Sequence, residues 1–219
     1  MKQLAVLLVA LFCAGTVHAQ LGIRVGANTA SVSAKVKEFH EVDTRSRAGY
    51  QLGVFYEKKL TERWSLVPEV QFSNQRMNMH IVESGVADGG YDANYRLRLR
   101  YLNVPIIARA TVGWFYLEAG PQVGFLLDAK EKGTNTYGSF LGSYSTTYNR
   151  YATDTYRRAD LGLVAGVGVN LPASFGLGVR GYTGLLSITE GKDTQYANYT
   201  GPLKNQVVQA SLTYQLAAR

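Results

Sequence analysis

The chain has 219 residues, 46% of them hydrophobic and 11% aromatic, with a formal charge of +7, which is enough for one domain with a sizeable core. One cysteine, Cys13, excludes a disulfide framework, and no stretch beyond the N-terminal segment approaches the ~20 apolar residues of a membrane-spanning helix. A basic balance suits nucleic acid inside a cell, but the N-terminus marks this chain for export, where anionic lipid headgroups or surface sugars are the neighbours.

MKQLAVLLVALFCAGTVHAQ begins with a lysine at position 2, runs apolar from Leu4 to Phe12 and closes on Val17-His18-Ala19. That pattern predicts a cleaved signal peptide over residues 1–19 and one mature domain over residues 20–219. Phe12 before Cys13 argues against a lipoprotein signal, so the mature chain carries no cysteine. With 15 tyrosines, 23 glycines and 5 prolines, composition favours an all-β domain, and an integral membrane protein without apolar helices must be a closed barrel.

Eight segments alternate with period two, the spacing of a strand. LGIRVGAN (21–28) sets Leu21, Ile23 and Val25 against Gly22, Arg24 and Gly26; YQLGVFYEK (50–58) sets Leu52 and Val54 against Gln51, Gly53 and Glu57. WSLVPEVQFS (64–73) opposes Val70 and Phe72 to Glu69 and Gln71. NYRLRLRYLNVPIIAR (94–109) alternates Arg96, Arg98 and Arg100 with leucines, then turns apolar at Leu102, Val104 and Ile106. WFYLEAGPQVGFLL (114–127) places Glu118 and Gln122 opposite Leu117 and Val123. DLGLVAGVGVNL (160–171), FGLGVRGYTG (175–184) with Arg180, and VVQASLTYQL (207–216) complete the set. Short turns join some neighbours; long polar segments at about residues 31–47, 81–93, 130–158 and 190–204 join the others.

Even strand number, short turns at one end and long loops at the other are the marks of a transmembrane β-barrel. An arginine facing lipid near the midplane costs ~2–4 kcal/mol, so the face of Arg96, Arg98 and Arg100 must point inward or lie near the rim. We assign Arg24, Glu57, Glu69, Arg96, Arg98, Arg100, Arg109, Glu118 and Arg180 to an interior charge network, bases outnumbering acids. Glu69 and Glu118 then pair with arginines of neighbouring strands, Arg100 first, while Arg96 and Arg98 reach solvent or loop acids. Pro68, Pro105 and Pro121 fall inside strands, where a barrel has no free edge for them. The change of apolar parity after Tyr101 predicts a β-bulge near Tyr101 and Leu102.

YLNVPIIAR (101–109), YLEAGPQVGFLL (116–127), DLGLVAGVGVNL (160–171), VRGYTGLLSI (179–188) and NQVVQASLTYQL (205–216) together resemble the PorT-like outer-membrane β-barrel family of Gram-negative bacteria. The resemblance runs over nearly the whole mature chain. It implies an eight-stranded antiparallel up-and-down barrel in the outer membrane with both termini in the periplasm, and a link to protein secretion. Two departures stand out: LAAR follows Gln215, leaving Tyr214 as the C-terminal aromatic, and the 130–158 loop is long.

Chemical motifs are sparse. Gly176-Leu-Gly178-Val-Arg-Gly181 matches GxGxxG without a following helix, so we read its glycines as a crowded inner face. His80, with Glu83 and Ser84 nearby, is the seed of a lipid-modifying enzyme, but no GxSxG elbow accompanies it, and no cluster has zinc spacing. We therefore expect no catalytic residue, metal or cofactor. The 130–158 loop carries Tyr137, Tyr144, Tyr148, Tyr151 and Tyr156 with Arg150, residue types enriched where proteins bind partners or sugars. The expectation is a non-enzymatic, monomeric outer-membrane barrel, in contact with lipid and with other outer-membrane or periplasmic proteins but not nucleic acid, acting through its loops as a secretion accessory. Its alternatives are a lipid-modifying enzyme needing His80 or His40, a soluble lipocalin-like carrier, and a pore, which eight strands are too few to open.

Overall fold

Alternation extends well past the eight segments in the three-dimensional structure, a computed structural model that describes residues 19–34, 40–84, 89–139, 142–189 and 202–216. The strands are β1 (Ala19–Ala34), β2 (His40–Lys59), β3 (Trp64–Ser84), β4 (Gly89–Val112), β5 (Phe115–Ser139), β6 (Gly142–Tyr151), β7 (Ala159–Asn170), β8 (Phe175–Gly184) and β9 (Leu203–Gln215). All pair antiparallel. Each of β1 to β5 pairs its successor, β5 also pairs β7, and β7, β8 and β9 lead back to β1, so eight strands close a ring. The expected leader lies outside the described residues except for Ala19, where β1 begins.

β6 is a ninth strand outside the ring. It pairs the outer half of β5, from Lys130↔Tyr151 to Ser139↔Gly142, whereas the inner half of β5 pairs β7. The segments read as polar loops at 31–47, 81–93 and 130–158 are thus largely strand. They alternate weakly in hydrophobicity because they project beyond any apolar surroundings, and that alternation was the only signal for a strand. A spanning strand needs about 9–11 residues. β3 with 21 residues and β4 with 24 are about twice that, so half of each stands clear of the membrane.

The two halves are built oppositely. From Leu21 to Val25, Tyr50 to Val54, Leu102 to Ile106, Phe115 to Leu127, Leu161 to Val167, Phe175 to Val179 and Val208 to Leu212, apolar side chains point outward and form a continuous belt. Trp64, Trp114 and the Phe175–Tyr214 pair mark its short-turn margin; Phe125 and the Tyr50–Phe72 pair mark the other. Above the belt the apolar residues turn inside: Met77, Met79, Ile81, Ala93, Tyr95, Leu97 and Leu99 are buried, and Arg76, Asn94, Arg96 and Lys132 are exposed. Ala152, Tyr156 and Ile188 join this upper core, where Arg157 N–H donates to Ile188 O at 2.7 Å.

β4 keeps one parity throughout, odd positions inward from Tyr95 to Arg109. No bulge interrupts it. The irregularity expected near Tyr101 and Leu102 sits in its partner: Arg100 faces Asp128 and Tyr101 faces Leu126, so β5 carries Leu127 as the extra residue. Here β5 also changes neighbours, Leu126 N–H donating to Arg158 O at 2.8 Å and Ala129 N–H to Thr153 Oγ1 at 3.2 Å.

Each in-strand proline opens a gap toward the preceding strand. Pairing of β2 with β3 stops at Phe55↔Glu69 and resumes at Lys58↔Leu66, beside Pro68. Pairing of β3 with β4 stops at Pro68↔Ile106 and resumes at Gln71↔Asn103, beside Pro105, and pairing of β4 with β5 stops at Pro105↔Gln122 and resumes at Ala108↔Ala119, beside Pro121. A missing N–H removes a ladder bond. Three strands therefore absorb their prolines at adjoining gaps, and at Gly120 the backbone comes so near Ile106 O that a Cβ would collide with it.

The short turns close the end that holds both Ala19 and Gln215. Thr61 Oγ1 accepts from Trp64 N–H at 3.0 Å in the first, Gly113 takes φ 59° in the second, and Ala173 and Ser174 take φ 57° and 64° in the third. Replacing Val179, which is mid-belt and 50% exposed, by arginine is expected to lower stability in lipid vesicles by ~2–4 kcal/mol in urea unfolding. Thr134→Arg, above the belt on the outer face, is expected to leave it unchanged.

Candidate functional site

Two constellations occupy the barrel, one inside the belt and one above it. Inside, Arg24 (0% exposed) donates from Nε to Glu69 at 3.2 Å and from Nη1 to Ser211 Oγ at 2.7 Å. Arg180 (2% exposed) reaches Glu69 Oε2 at 2.8 Å and Glu118 Oε1 at 2.5 Å. Arg109 then reaches Glu118 Oε2 at 3.0 Å and Glu57 Oε2 at 2.9 Å, and Ser65 Oγ and Gln215 Nε2 donate to Glu57, each at 2.7 Å. β1, β2, β3, β4, β5 and β8 each contribute one charge, three arginines to three glutamates. Each of these three glutamates meets at least one arginine, which is the condition for holding charge in a low dielectric.

Room for these long side chains comes from inward glycines in register with them on neighbouring strands, Gly22 opposite Phe55, Gly168 opposite Tyr116 and Gly166 opposite Arg180. A Cβ at Gly168 or Gly178 would meet the Tyr116 phenol, one at Gly22 the Phe55 ring, and one at Gly166 the Arg180 side chain at 2.8 Å. Arg109 stacks over Tyr116 at 4.3 Å and Arg24 over Phe55 at 5.7 Å. Gly176 and Gly178 of the GxGxxG match are inward strand positions of β8, paired with β9.

Six of the nine residues assigned to the interior network, Arg24, Glu57, Glu69, Arg109, Glu118 and Arg180, meet there. Arg96, Arg98 and Arg100 do not: they point outward above the belt, and the side chains they alternate with fill the upper core. Of the two places allowed to them, the rim is the one they occupy, because at that height the outer face already meets water. Arg100 pairs Asp128 at 2.5 Å and Arg98 lies 4.0 Å from the same carboxylate. Glu69 and Glu118 accordingly pair with Arg24, Arg180 and Arg109 rather than with Arg100.

Above the belt, β3 to β6 rise as a wall. Its inner face carries Tyr91, Tyr137 and Tyr144 in register across three strands, ring centroids 5.2 and 5.0 Å apart, with Tyr144 65% exposed. Below them, Arg150 donates from Nη2 to Glu131 Oε2 at 2.8 Å and Tyr156 Oη donates to Glu131 Oε1 at 2.9 Å. Arg150 also lies over Tyr148 at 4.7 Å. Of the six loop residues, then, Tyr137 and Tyr144 are exposed, Tyr151 sits outside against Lys130 at 5.4 Å, and Arg150, Tyr148 and Tyr156 tie the hairpin to the upper core. Glu131, which reads from the sequence as a solvated loop charge like Asp154, is instead buried, because the hairpin folds it against Arg150 and Tyr156; Asp128 and Tyr91 were not singled out by sequence. Running the odd parity of Leu97 and Tyr95 back through Ala93 leads to Tyr91, a signal available in the chain.

Burial, then the Glu131 carboxylate, lifts the Tyr95 phenol well above its usual range, and burial likewise lifts that of Tyr156. Both stay protonated in the folded wall. Their contribution is complete below the ordinary phenol pKa of about 10 and is lost as pH rises beyond it, so stability is expected to hold through neutral pH and fall in alkaline titration followed by tyrosine absorbance.

His80 Nε2 lies 3.2 Å from Asp92 Oδ1 on the outer face, in a depression lined by Asp43, Arg45, Asn78, Met79 and Asn94, without a hydroxyl or thiol among its lining. The side chains of His40, Glu83 and Ser84 lie outside the described residues. No group of three or more His, Cys, Asp or Glu side chains among the described residues is placed to hold a metal.

Glu118→Ala is expected to destabilise the barrel by ~3–5 kcal/mol in urea unfolding, because it takes from each of two buried arginines, Arg109 and Arg180, one of its two carboxylate partners. Arg100→Ala, partly solvated at the rim, is expected to have a much smaller effect in the same measurement.

Comparison with known proteins bears on this architecture. A family model described as outer membrane protein beta-barrel domain matches residues 17–190, that is, through β8 and short of the closing strand β9. No curated protein matches. Among solved structures, the chain is similar to the attachment invasion locus protein Ail of Yersinia pestis at 12% identity and a TM-score of 0.46, covering 91% of this chain and 100% of that one. It is similar to Neisserial surface protein A at 11% identity and a TM-score of 0.49, with 91% and 100% covered. OprG from Pseudomonas aeruginosa gives 13% identity and a TM-score of 0.45, with 91% and 97% covered.

Proposed function

We propose that this chain, which belongs to the outer membrane protein beta-barrel domain family, acts in the outer membrane by docking another protein on the wall above its barrel, with no enzymatic step of its own. Short turns in such barrels face the periplasm, which puts the wall on the outer side. The observation that carries the reading is the Tyr91–Tyr137–Tyr144 row on the wall's inner face. Tyrosines held rigidly by a sheet offer large amphipathic area at little entropic cost, the kind of surface that anchors protein contacts.

Two features favour docking over transport or catalysis. The arginine–glutamate chain crosses the lumen from Ser211 to Ser65, and eight strands enclose little more than their own side chains. The His80–Asp92 pair has no nucleophile lining its depression. The partner we infer is another outer-membrane protein, and the PorT-like sequence resemblance supports the finer reading of an accessory to a secretion apparatus.

Chemical crosslinking in native outer membranes, followed by mild detergent purification, is expected to recover a stoichiometric protein partner. Tyr137→Ala with Tyr144→Ala is expected to reduce that recovery at least tenfold while the barrel keeps its heat-dependent shift on gels. Recovery of the barrel alone from the native chain speaks against docking.

A further inference from the structure

The outer face of the wall holds a second surface, opposite the tyrosines. Register places Arg47 against Arg76, Arg76 against Arg98, and Arg98 against Lys130, four cations in one row across β2, β3, β4 and β5. One step higher, Arg45 faces Asn78, Asn78 faces Arg96, and Arg96 faces Lys132. One step below, Arg100 faces Asp128. Among the described side chains of this face, eight cations, Arg45, Arg47, Arg76, Arg96, Arg98, Arg100, Lys130 and Lys132, stand against three carboxylates, Asp43, Asp92 and Asp128.

Those carboxylates only partly neutralise the rows. Asp128 is engaged by Arg100 and lies 4.0 Å from Arg98 at the edge of ion-pair distance, Asp43 lies 3.5 Å from Arg45, and Asp92 faces His80. Arg76, Arg96 and Lys132 are exposed and make no ion pair among the described residues. Like charges directly opposite on a sheet destabilise it. An arrangement that repeats the unfavourable pairing three times along one row calls for an anion to bridge it.

Depth identifies the source. The row lies four residues above Leu102, and Tyr50, Phe72 and Leu127 stand at the same belt margin. At ~3.3 Å per residue and a ~40° tilt, that puts the row's backbone about 10 Å above the margin of the hydrocarbon, a few ångström beyond a headgroup layer of about 5–7.5 Å, a gap that long arginine and lysine side chains reach across. The depression beside the upper row, about 530 Å3, is lined by Asn78, Asn94, Arg96, Lys132, Thr134 and Thr147. Its donors and acceptors suit the polar part of a headgroup larger than phosphate itself.

We propose that Arg47, Arg76, Arg98 and Lys130 form a binding site for the phosphate of membrane lipid headgroups, with the Arg96–Lys132 depression taking the polar remainder. Guanidinium groups in a row match phosphate oxygens bidentately, and the belt beneath receives the acyl chains of the same lipid.

Native mass spectrometry of the full chain in neutral detergent, titrated with dioleoyl phosphatidic acid or dioleoyl phosphatidylcholine, tests this. The expected result is at least tenfold tighter binding of phosphatidic acid, and loss of that preference in Arg76→Gln/Arg98→Gln/Lys130→Gln. Because the substitutions relieve cation–cation opposition, the lipid-free triple variant is expected to melt at or above the temperature of the native chain. On the native chain alone, the preference is expected to fall at least tenfold between 50 and 500 mM sodium chloride. Equal affinity for the two lipids, an unchanged preference in the variant, or salt-insensitive preference would each overturn the site. Displacement of phosphatidic acid by equimolar inorganic phosphate would overturn the assignment to membrane lipid.

Discussion

A strand that leaves a membrane keeps its pleat but changes its surroundings, and this barrel is shaped by that constraint. Side chains alternate inward and outward whatever lies outside. Within the belt, lipid takes the apolar set and the lumen must take the polar one. Above it, water takes the polar set and the lumen becomes an apolar core. β4 passes from one regime to the other without a bulge: Arg109 and Asn103 point inward below, Leu99 and Leu97 point inward above, all at odd positions. The molecule is a membrane barrel continued upward, on β2 to β6, as an open wall over an apolar core of the soluble kind.

The lower lumen follows from the same constraint. A polar interior under an apolar belt must pair its charges, and three arginines alternate with three glutamates along one chain of contacts. Long side chains meeting at the centre need opposing space, which Gly22, Gly166, Gly168 and Gly178 supply. The network and the glycines are one packing solution. It fills the lumen with side chains and moves surface chemistry to the wall.

There the two faces differ in chemistry. The inner face lines tyrosines across β4, β5 and β6 and rests on the Glu131–Arg150–Tyr156 contacts. The outer face lines cations across β2 to β5, directly above the belt. Both depend on β4 and β5 overshooting the membrane, and β5 does so by dropping β7 at its bulge and taking up β6. The proline gaps lie far from these surfaces, in the lower half, where Pro68, Pro105 and Pro121 loosen adjoining strands around the ionic layer.

Period-two alternation in the chain determined the class of fold, the eight ring strands, the short-turn end and the six charges that do meet in the lumen, because those features follow from one residue's relation to its near neighbours. Tertiary structure alone decided where the belt stops. Arg96, Arg98 and Arg100 read as interior because the leucines between them look like a lipid face, and nothing local distinguishes a leucine facing lipid from one facing a core. The same limit hid β6 and the outer half of β5: with water on the outer side, YSTTYNRY loses the hydrophobic contrast that reveals a strand. The partners of Glu69 and Glu118, the tyrosine row and the cation row all join residues from different strands. Register, set by closure of the whole ring, brings them together.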